Sequence, residues 1–328
     1  MATRFTREDC ILGELSAAPL VSIVLATYNR SRVLAHAIES VRRSTLTDWE
    51  LIVVGDACTD DTSDVVAAFD DPRVTFINLP ENVGEQSGPN NEGVRRARGR
   101  YIAYLNHDDM YFPDHLASSV AWCERSGADF VWSPVLVALP PTDRELAEHA
   151  SRFRVHGVPP ADDYDPRLFV FASQWLMTRD LATRVGPWRP ARETFATSSQ
   201  DWLFRAFRSG ARMRLKPDVT VLAIPAAVRK GSYVAGRSPE HDHLAAQMQN
   251  DGRFRERALE SAAIAGEREA NRYKVGRTLR SLVVRPVYAA AISLGVHPYA
   301  PLFALRYGRR GNLVSAIRRR TGLERLTR

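Results

Sequence analysis

An apolar run over residues 101–105 ends abruptly in four polar residues, Asn106, His107, Asp108 and Asp109. The run has the composition of a β-strand, and open α/β sheets bind ligands at the carboxyl ends of their strands. Carboxylate oxygens at such an edge can hold a divalent cation, and the cation can bind a phosphate. The segment therefore indicates an enzyme site for a phosphate compound. An alternative is that the two aspartates only end the strand and cap the next helix.

Polar residues also follow the first two strand-like runs. Residues 20–26 are apolar and lead into the tetrapeptide 27–30, and residues 50–54 lead into Gly55 and Asp56. The tetrapeptide, Thr-Tyr-Asn-Arg, has none of the glycines of the GxGxxG turn that binds dinucleotides. The chain also lacks a GxxxxGKS or GxxxxGKT loop. A dinucleotide-dependent oxidoreductase and a P-loop nucleotidase are both disfavoured.

Strand-like and helix-like patterns alternate between these polar residues. Helical spacing of apolar residues covers 32–43 and 62–69, a third strand-like run covers 74–79, and a helix is predicted near 91–97. Strands that alternate with helices through short loops imply a mostly parallel sheet with right-handed crossovers. We therefore predict an α/β protein whose parallel strands bring the polar residues to one edge.

The second half of the chain continues this pattern with one interruption. A single strand is predicted over 129–137, then an irregular Pro-rich insertion over 139–166, where substrate-binding loops commonly occur. A helix is predicted over 201–209 and late strands over 212–224.

From residue 239 the composition shifts to helix formers. The patterns predict a long helix over 258–282, a broken apolar segment over 286–301 and a basic amphipathic helix over 312–325. His241 and His243 are expected at the surface, because i, i+2 spacing does not face both rings the same way.

The basic charge is concentrated at the C-terminus. Residues 271–328 carry 13 lysine or arginine side chains against one acid, Glu324, so their net charge is +12; because the whole chain is +7, residues 1–270 carry −5. A basic amphipathic helix suits an anionic membrane surface. Packing on the catalytic domain or pairing with another subunit uses the same pattern, and a solvated basic face is a further alternative.

Length and cysteine content limit the domain organisation and the kinds of site that the chain can have. With 328 residues and 45% apolar content the chain can bury one domain of about 230 residues plus an appendage. Cys10, Cys58 and Cys123 have no CxxC spacing, which argues against a zinc site and indicates no disulfide framework. Residues 1–18 have no signal-peptide core and are expected to be a leader, and no uninterrupted apolar stretch predicts a spanning helix. A reducing cytoplasm is the expected location.

Six short segments, taken together, point to a known family. In chain order they are Thr27-Tyr28-Asn29-Arg30, Gly55-Asp56-Ala57-Cys58-Thr59-Asp60, Asn82-Val83-Gly84, Asn91-Glu92-Gly93, Leu105-Asn106-His107-Asp108-Asp109 and Gln200-Asp201-Trp202. Their order and spacing resemble the family 2 glycosyltransferases, and the resemblance covers residues 19–223. It implies a GT-A-type, Rossmann-like, mostly parallel sheet with flanking helices as catalytic domain 19–238, after the leader 1–18 and before a basic helical extension 239–328.

The resemblance also implies a nucleotide site. Thr27, Tyr28 and Asp56 would hold the base, since a carboxylate can accept a base N–H and an aromatic ring supplies stacking area. Asp56 could instead form only a turn. Other residues expected on the nucleotide wall are Asn29, Arg30, Asn82, Gly84, Asn91, Asn106 and His107. The family usually has acids where this chain has Gly55 and Asn106.

For the metal and the reaction the resemblance implies further roles. Asp108 would hold Mg²⁺ or Mn²⁺ on the diphosphate, and Asp109 would share the metal or cap a helix. The family places its general base in a Glu-Asp pair before a helix; here the pair is Gln200-Asp201, so Asp201 is the predicted base. The alternative for Asp201 is a plain N-cap. The loop after the last predicted strand carries three cations, Arg229, Lys230 and Arg237. They are expected to neutralise the diphosphate or to close over the donor as a lid. The alternative is an ordinary solvated loop.

The implied activity is inverting transfer of a sugar from a UDP-, GDP- or dTDP-sugar to a hydroxyl acceptor. The expected location is the cytoplasm, peripheral to the inner face of the membrane, and no nucleic acid partner is expected. Two other functions stay open. One is a catalytically silent nucleotide- or glycan-binding protein; the other is a sugar nucleotidyltransferase, whose GxGxR-like loop the tetrapeptide 27–30 does not provide.

Overall fold

The computed structural model describes residues 18–142, 151–159, 163–234, 238–272, 274–324 and 326, and for residues 267–283 only the backbone is described. The predicted leader up to residue 17, Arg237 and Arg325 lie outside these ranges.

Eleven strands occur in the described residues. They are β1 (Val21–Thr27), β2 (Trp49–Gly55), β3 (Val74–Asn78), β4 (Tyr101–Tyr104), β5 (Asp109–Tyr111), β6 (Phe130–Trp132), β7 (Val135–Ala138), β8 (Phe153–His156), β9 (Trp175–Thr178), β10 (Met213–Leu215) and β11 (Val221–Ala223). The α-helices are α1 (Ser31–Arg42), α2 (Thr62–Ala67), α3 (Ser87–Arg96), α4 (His115–Ser126), α5 (Arg179–Val185), α6 (Ser198–Arg208), α7 (Pro239–Asn250), α8 (Phe254–Arg272), α9 (Lys274–Ser293), α10 (Ala300–Tyr307) and α11 (Asn312–Thr321).

A seven-stranded sheet with the order β10-β6-β9-β4-β1-β2-β3 forms the centre of the fold. The pairs β1–β2, β1–β4, β2–β3 and β6–β10 are parallel, and only β9 runs antiparallel to its neighbours β4 and β6. The predicted α/β class with a mostly parallel sheet is confirmed.

Both faces of this sheet are covered, as parallel sheets require. Successive side chains of a strand point to opposite faces. Ile23 of β1 therefore packs in a cluster with Leu34 of α1, whereas the adjacent Val24 packs in a second cluster that contains Trp175 and Trp202.

A second, four-stranded sheet with the order β5-β11-β7-β8 was not predicted. The single strand expected over 129–137 is wrong, because the chain divides there into β6 of the first sheet and β7 of the second. Pro134 lies between them and has no N–H for a ladder hydrogen bond, so it favours a break at this point.

The C-terminal helices differ from the prediction in their bounds and in their contacts. The long helix expected over 258–282 is replaced by α8 and α9, and α9 continues through Pro286. Helices α7 and α8 pack on the second sheet, where Leu244 and Ala258 join the cluster of Leu136. His241 is buried and not at the surface as predicted, and its Nε2 lies 3.2 Å from the Asp108 carbonyl oxygen.

Lys216, which is buried between α4 and the segment that leads into β11, supplies a test of stability at alkaline pH. Its side chain is 1% exposed, and Nζ donates to the hydroxyls of Ser118 and Thr220. Burial lowers its pKa from 10.5 to about 8. Between these values the unfolded chain binds a proton that the native protein does not bind, so stability is expected to rise with pH in that window. The rise is about 3 kcal/mol at roughly 1.4 kcal/mol per pKa unit.

The measurement is urea unfolding of the wild type and Lys216→Met from pH 7.5 to 10.5. We expect the stability gain in the wild type and its loss in the variant. Equal pH profiles for both proteins would contradict the assignment of this proton to Lys216.

Candidate functional site

A cavity of about 280 Å³ lies at the carboxyl ends of β1, β2 and β4. Thr27 pairs with Gly55 across β1 and β2, so the residues that follow these strands leave the sheet at the same level. The polar residues that line the cavity from this edge are Thr27, Tyr28, Asp56, Asn106, His107 and Asp108. The structure thus brings predicted site residues that follow three separate strands together around one cavity.

Asp56 is 4% exposed and is held by the loop that follows β3. The backbone N–H groups of Val83 and Gly84 each donate to its carboxylate at 2.7 Å, and Asn82 Nδ2 donates at 3.2 Å. Burial raises the pKa of Asp56, although these two N–H groups act in the opposite direction. Gly84 adopts φ +81°, a conformation that favours glycine and that directs its N–H at the carboxylate. The loop therefore fixes an acceptor toward the cavity.

His107 forms an adjoining part of the wall. Burial lowers its pKa to about 4, so the imidazole is neutral near pH 7. Its Nε2 lies 3.3 Å from the Tyr233 hydroxyl, and Tyr233 itself lines the cavity. Arg30 does not line the cavity, but its guanidinium lies over the Tyr233 ring, 5.2 Å from the centroid.

Asp108 and Asp109 have different environments although they are adjacent. Asp108 lines the cavity, and its Oδ2 accepts from the Ala226 N–H at 2.7 Å. Burial alone would raise the pKa of Asp108. The charge that His107 carries when protonated, the Arg30 guanidinium and this N–H favour the anion, and they hold the pKa below its ordinary value.

Asp109 does not line the cavity and is 1% exposed. Its carboxylate accepts from Asn106 Nδ2, Ser173 Oγ and the Ile224 N–H. Burial and the Asp108 carboxylate raise the pKa of Asp109 to about 7. Asp109 thus connects the start of β5 to the segments that carry these three donors. Asp108 is the carboxylate of the two that a ligand in the cavity can reach.

The Asp108 carboxylate fits a divalent ion held mainly by oxygen atoms of phosphate and water, as is usual for Mg²⁺. The part of the chain that the structure describes contains no group of three His, Cys, Asp or Glu side chains arranged to hold a metal by themselves.

Three predicted asparagines support loops and do not line the cavity. Asn29 accepts from the Thr59 N–H, Asn82 donates to Asp56, and Asn91 exchanges two hydrogen bonds with the Trp188 backbone. Their contribution is to the shape of the cavity.

Arg229 and Lys230 also lie outside the cavity lining. Arg229 forms an ion pair with Glu240 and donates to the backbone oxygens of Pro225 and Ala138. It joins the loop after β11 to α7.

Asp201, the predicted base, does not line the cavity, because it lies further along α6 than the residues that do. The helix starts at Ser198, three residues earlier than predicted, and Thr197 is the N-cap. Asp201 therefore lies inside the first turn, where Oδ2 accepts from Arg205 Nε at 3.0 Å and Arg189 lies 3.8 Å away. The residues of this turn that line the cavity are Thr197, Ser198 and Ser199. The structure brings Asp56 and Asp108 together but does not bring Asp201 to the same wall.

Glu85 is a cavity-lining carboxylate that was not predicted. Ser198 Oγ donates to its Oε2, and Ser87 Oγ and the Ala191 N–H donate to its Oε1, all at 2.7 Å. The carboxylate is thus fixed beside the N-terminus of α6. Its position directly after the Asn82-Val83-Gly84 segment was a signal that the sequence did contain.

The C-terminal helix α11 was also not predicted as part of this site. It and the residues after it line the cavity with Val314, Ile317, Arg318, Thr321 and Leu323. These residues are far from the first strands in sequence. Packing of the helix on the catalytic domain was one of the alternatives that its amphipathic pattern left open, but its place at the cavity was not predicted.

The sheet order, the acidic strand ends and the shared cavity define a GT-A-type fold. Residues 22–182 match the family model described as Glycosyl transferase family 2. The succinoglycan biosynthesis protein ExoO of Rhizobium meliloti is 39% identical over 114 residues, which cover 35% of this chain and 32% of ExoO. A relative from Escherichia coli named UDP-Glc:alpha-D-GlcNAc-diphosphoundecaprenol beta-1,3-glucosyltransferase WfgD is 30% identical over 113 residues, 34% of this chain and 44% of WfgD.

Among solved structures, S. aureus TarS 1–349 in complex with UDP-GlcNAc matches with a TM-score of 0.54 at 15% identity and covers 92% of both chains. This likeness shows the fold. The predicted family is confirmed: residues 22–182 belong to family 2 of the glycosyltransferases. The chain spans about a third to less than half of the length of three of the curated relatives that it matches. None of the helices in the described ranges is long and apolar enough to cross a membrane.

Proposed function

We propose that this protein transfers a sugar from a nucleoside diphosphate sugar to a hydroxyl group of a glycan or lipid-linked acceptor, with inversion at the anomeric carbon. The observation that carries the proposal is the convergence of Asp56 and Asp108 on one cavity at the strand ends. Asp56 suits a base N–H, and Asp108 suits a metal on the diphosphate. The names of WfgD and of the TarS complex, which mention UDP-Glc and UDP-GlcNAc, support a donor of this class.

The proposed reaction is a single displacement. The acceptor oxygen forms a bond to the anomeric carbon while the bond from that carbon to the diphosphate oxygen breaks, and the hydroxyl proton passes to a carboxylate. The products are an inverted glycoside and a nucleoside diphosphate. A bound Mg²⁺ or Mn²⁺ would supply charge stabilisation for the departing diphosphate, and Asp108 would hold it. This chain must supply the base and the orientation of the two substrates.

Two carboxylates are candidates for the base. Asp201 is the one that the sequence motif implies, and that assignment stays a prediction. Glu85 is the one that lines the cavity, fixed by Ser198 at the position where the α6 N-terminus meets it. We favour Glu85, because a base must come within hydrogen-bond reach of the hydroxyl that it deprotonates. Asp201 would first have to release Arg205 and change its orientation.

The two alternative functions differ in what they would do with a donor. A silent binding protein would bind a sugar nucleotide without consuming it. A nucleotidyltransferase would use a nucleoside triphosphate and a sugar phosphate. Contact of the basic tail with an anionic membrane also stays a prediction.

A panel of sugar nucleotides tests the function. We expect the Tm of the full chain to rise with sugar nucleotides that share one base, more so with Mn²⁺ or Mg²⁺ present, because a ligand that binds only the native state stabilises it. Asp56→Asn is expected to remove the preference among bases. Slow release of free sugar from the selected donor would distinguish an enzyme from a silent binder. Absence of any shift across UDP-, GDP- and dTDP-sugars, with and without metal, would refute the proposal.

A further inference from the structure

The helix α11 forms one wall of the cavity, although it belongs to the C-terminal part of the chain. Val314, Ile317 and Thr321 lie on the side of the helix that faces the cavity, and Leu323 follows just after it. Part of the apolar surface of this helix is therefore directed at the site.

The C-terminal tail, which comprises α11 and the residues after it, contacts the loop that positions Asp56. Arg318 Nη1 donates to the Gly84 carbonyl oxygen, while the Gly84 N–H donates to Asp56. A Cβ at Gly84 would lie 2.9 Å from Leu326 Cδ2 and 3.2 Å from Arg318 Nη1, so the tail packs directly on this turn. Arg318 Nε also donates to the Glu324 carbonyl oxygen at 2.7 Å, which orients the guanidinium.

The same helix is also hydrogen-bonded to the loop after β11, which forms another part of the cavity wall. The backbone N–H groups of Gly231 and Tyr233 donate to the carbonyl oxygens of Arg320 and Thr321, each at 3.0 Å. Tyr233 lines the cavity and lies beside His107. The helix thus joins the loop that holds Asp56 to the loop that carries Tyr233.

Charge assigns a role to Arg318. The described residues that line the cavity include three carboxylates, those of Asp56, Glu85 and Asp108, and Arg318 is the only lysine or arginine among them. A nucleoside diphosphate placed among three carboxylates requires positive charge close to its phosphates. The planar fork of arginine suits phosphate oxygens, with which it can form two parallel hydrogen bonds.

We propose that Arg318 binds the diphosphate of the donor and that α11 is a structural wall of the donor site. This inference rests on the proposed function, because it takes the ligand to be a nucleoside diphosphate. Val314 and Ile317 of the helix already line the cavity, so α11 belongs to the proposed donor site.

Calorimetric titration of the full chain with the nucleoside diphosphate that the wild type prefers, and with the matching nucleoside, tests this. We expect Arg318→Gln to weaken diphosphate binding roughly tenfold to hundredfold, the effect of losing charge-assisted hydrogen bonds. Nucleoside binding is expected to fall much less than diphosphate binding, since the nucleoside has no phosphate and Asp56 keeps its own hydrogen bonds from Val83 and Gly84. Arg318→Lys should recover part of the affinity, because it restores the charge but not the fork.

Arg319→Gln is the matched control, since Arg319 is exposed on the same helix and does not line the cavity. Equal diphosphate affinities of Arg318→Gln and Arg319→Gln would overturn the proposal. An equal loss of nucleoside and diphosphate binding in Arg318→Gln would also overturn it, because the residue would then shape the wall without contacting phosphate. A wild type that binds no nucleoside diphosphate would instead remove the proposed function, and this inference with it.

Discussion

Replacing Glu85 by glutamine is expected to lower the turnover number for sugar transfer by a factor of about 10² to 10⁴, the usual contribution of a general base. Glutamine has nearly the same size, and its amide oxygen can still accept from the Ala191 N–H that now contacts Glu85. The fold and the affinity for the donor should therefore persist. The measurement is the transfer rate at saturating donor, together with donor affinity and Tm.

The Asp201→Asn variant tests the other candidate for the base in the same assay. Asp201 pairs with Arg205, and Arg205 also donates to the carbonyl oxygens of Val185 and Pro187. If Glu85 is the base, loss of this pair should appear mainly as a lower Tm. A large loss of turnover in Asp201→Asn with an unchanged Tm, beside an active Glu85→Gln, would establish Asp201 as the base and refute the role proposed for Glu85.

The second large effect is expected at Asp108, the proposed ligand of the metal. Asp108→Asn should reduce transfer about a hundredfold or more, because stabilisation of the departing charge by a metal contributes several kcal/mol. The variant should also lose the additional rise in Tm that Mn²⁺ causes in the presence of the donor. Nucleoside binding without metal should be retained, since Asp56 is unchanged.

Asp109→Asn is the comparison for this variant, because Asp109 is adjacent in sequence but does not line the cavity. Burial raises the pKa of Asp109 to about 7, so it is partly protonated near neutral pH and is a poorer metal ligand than Asp108. We expect Asp109→Asn to keep the metal response. The opposite pattern, with the response lost in Asp109→Asn and kept in Asp108→Asn, would reverse the two assignments.

The edge of the sheet was predictable because strand ends are read from local patterns. The apolar runs that become β1, β2 and β4 each stop at a polar residue, and parallel strands place these stops side by side. That reasoning led to Asp108, and the family resemblance added Thr27 and Asp56; all three line the cavity.

Loops and helix ends were less predictable, because their side chains can serve the fold or the ligand equally well. Asn29 and Asn91 belong to the motif segments, yet both hold backbone groups of neighbouring loops. Asp201 illustrates the effect of a small shift: with the helix starting at Ser198, its carboxylate lies within the first turn and meets Arg205.

The amino-acid sequence by itself determined the alternating strands and helices, the family and the acids at the strand ends, because these depend on periodicity and on residues close together along the chain. Only the tertiary structure decided which acids share a space. It placed Glu85 beside Ser198, turned Asp109 into the interior and laid Arg318 against the Gly84 turn. Such contacts join segments distant in sequence, and they depend on how whole elements pack, which no local pattern encodes.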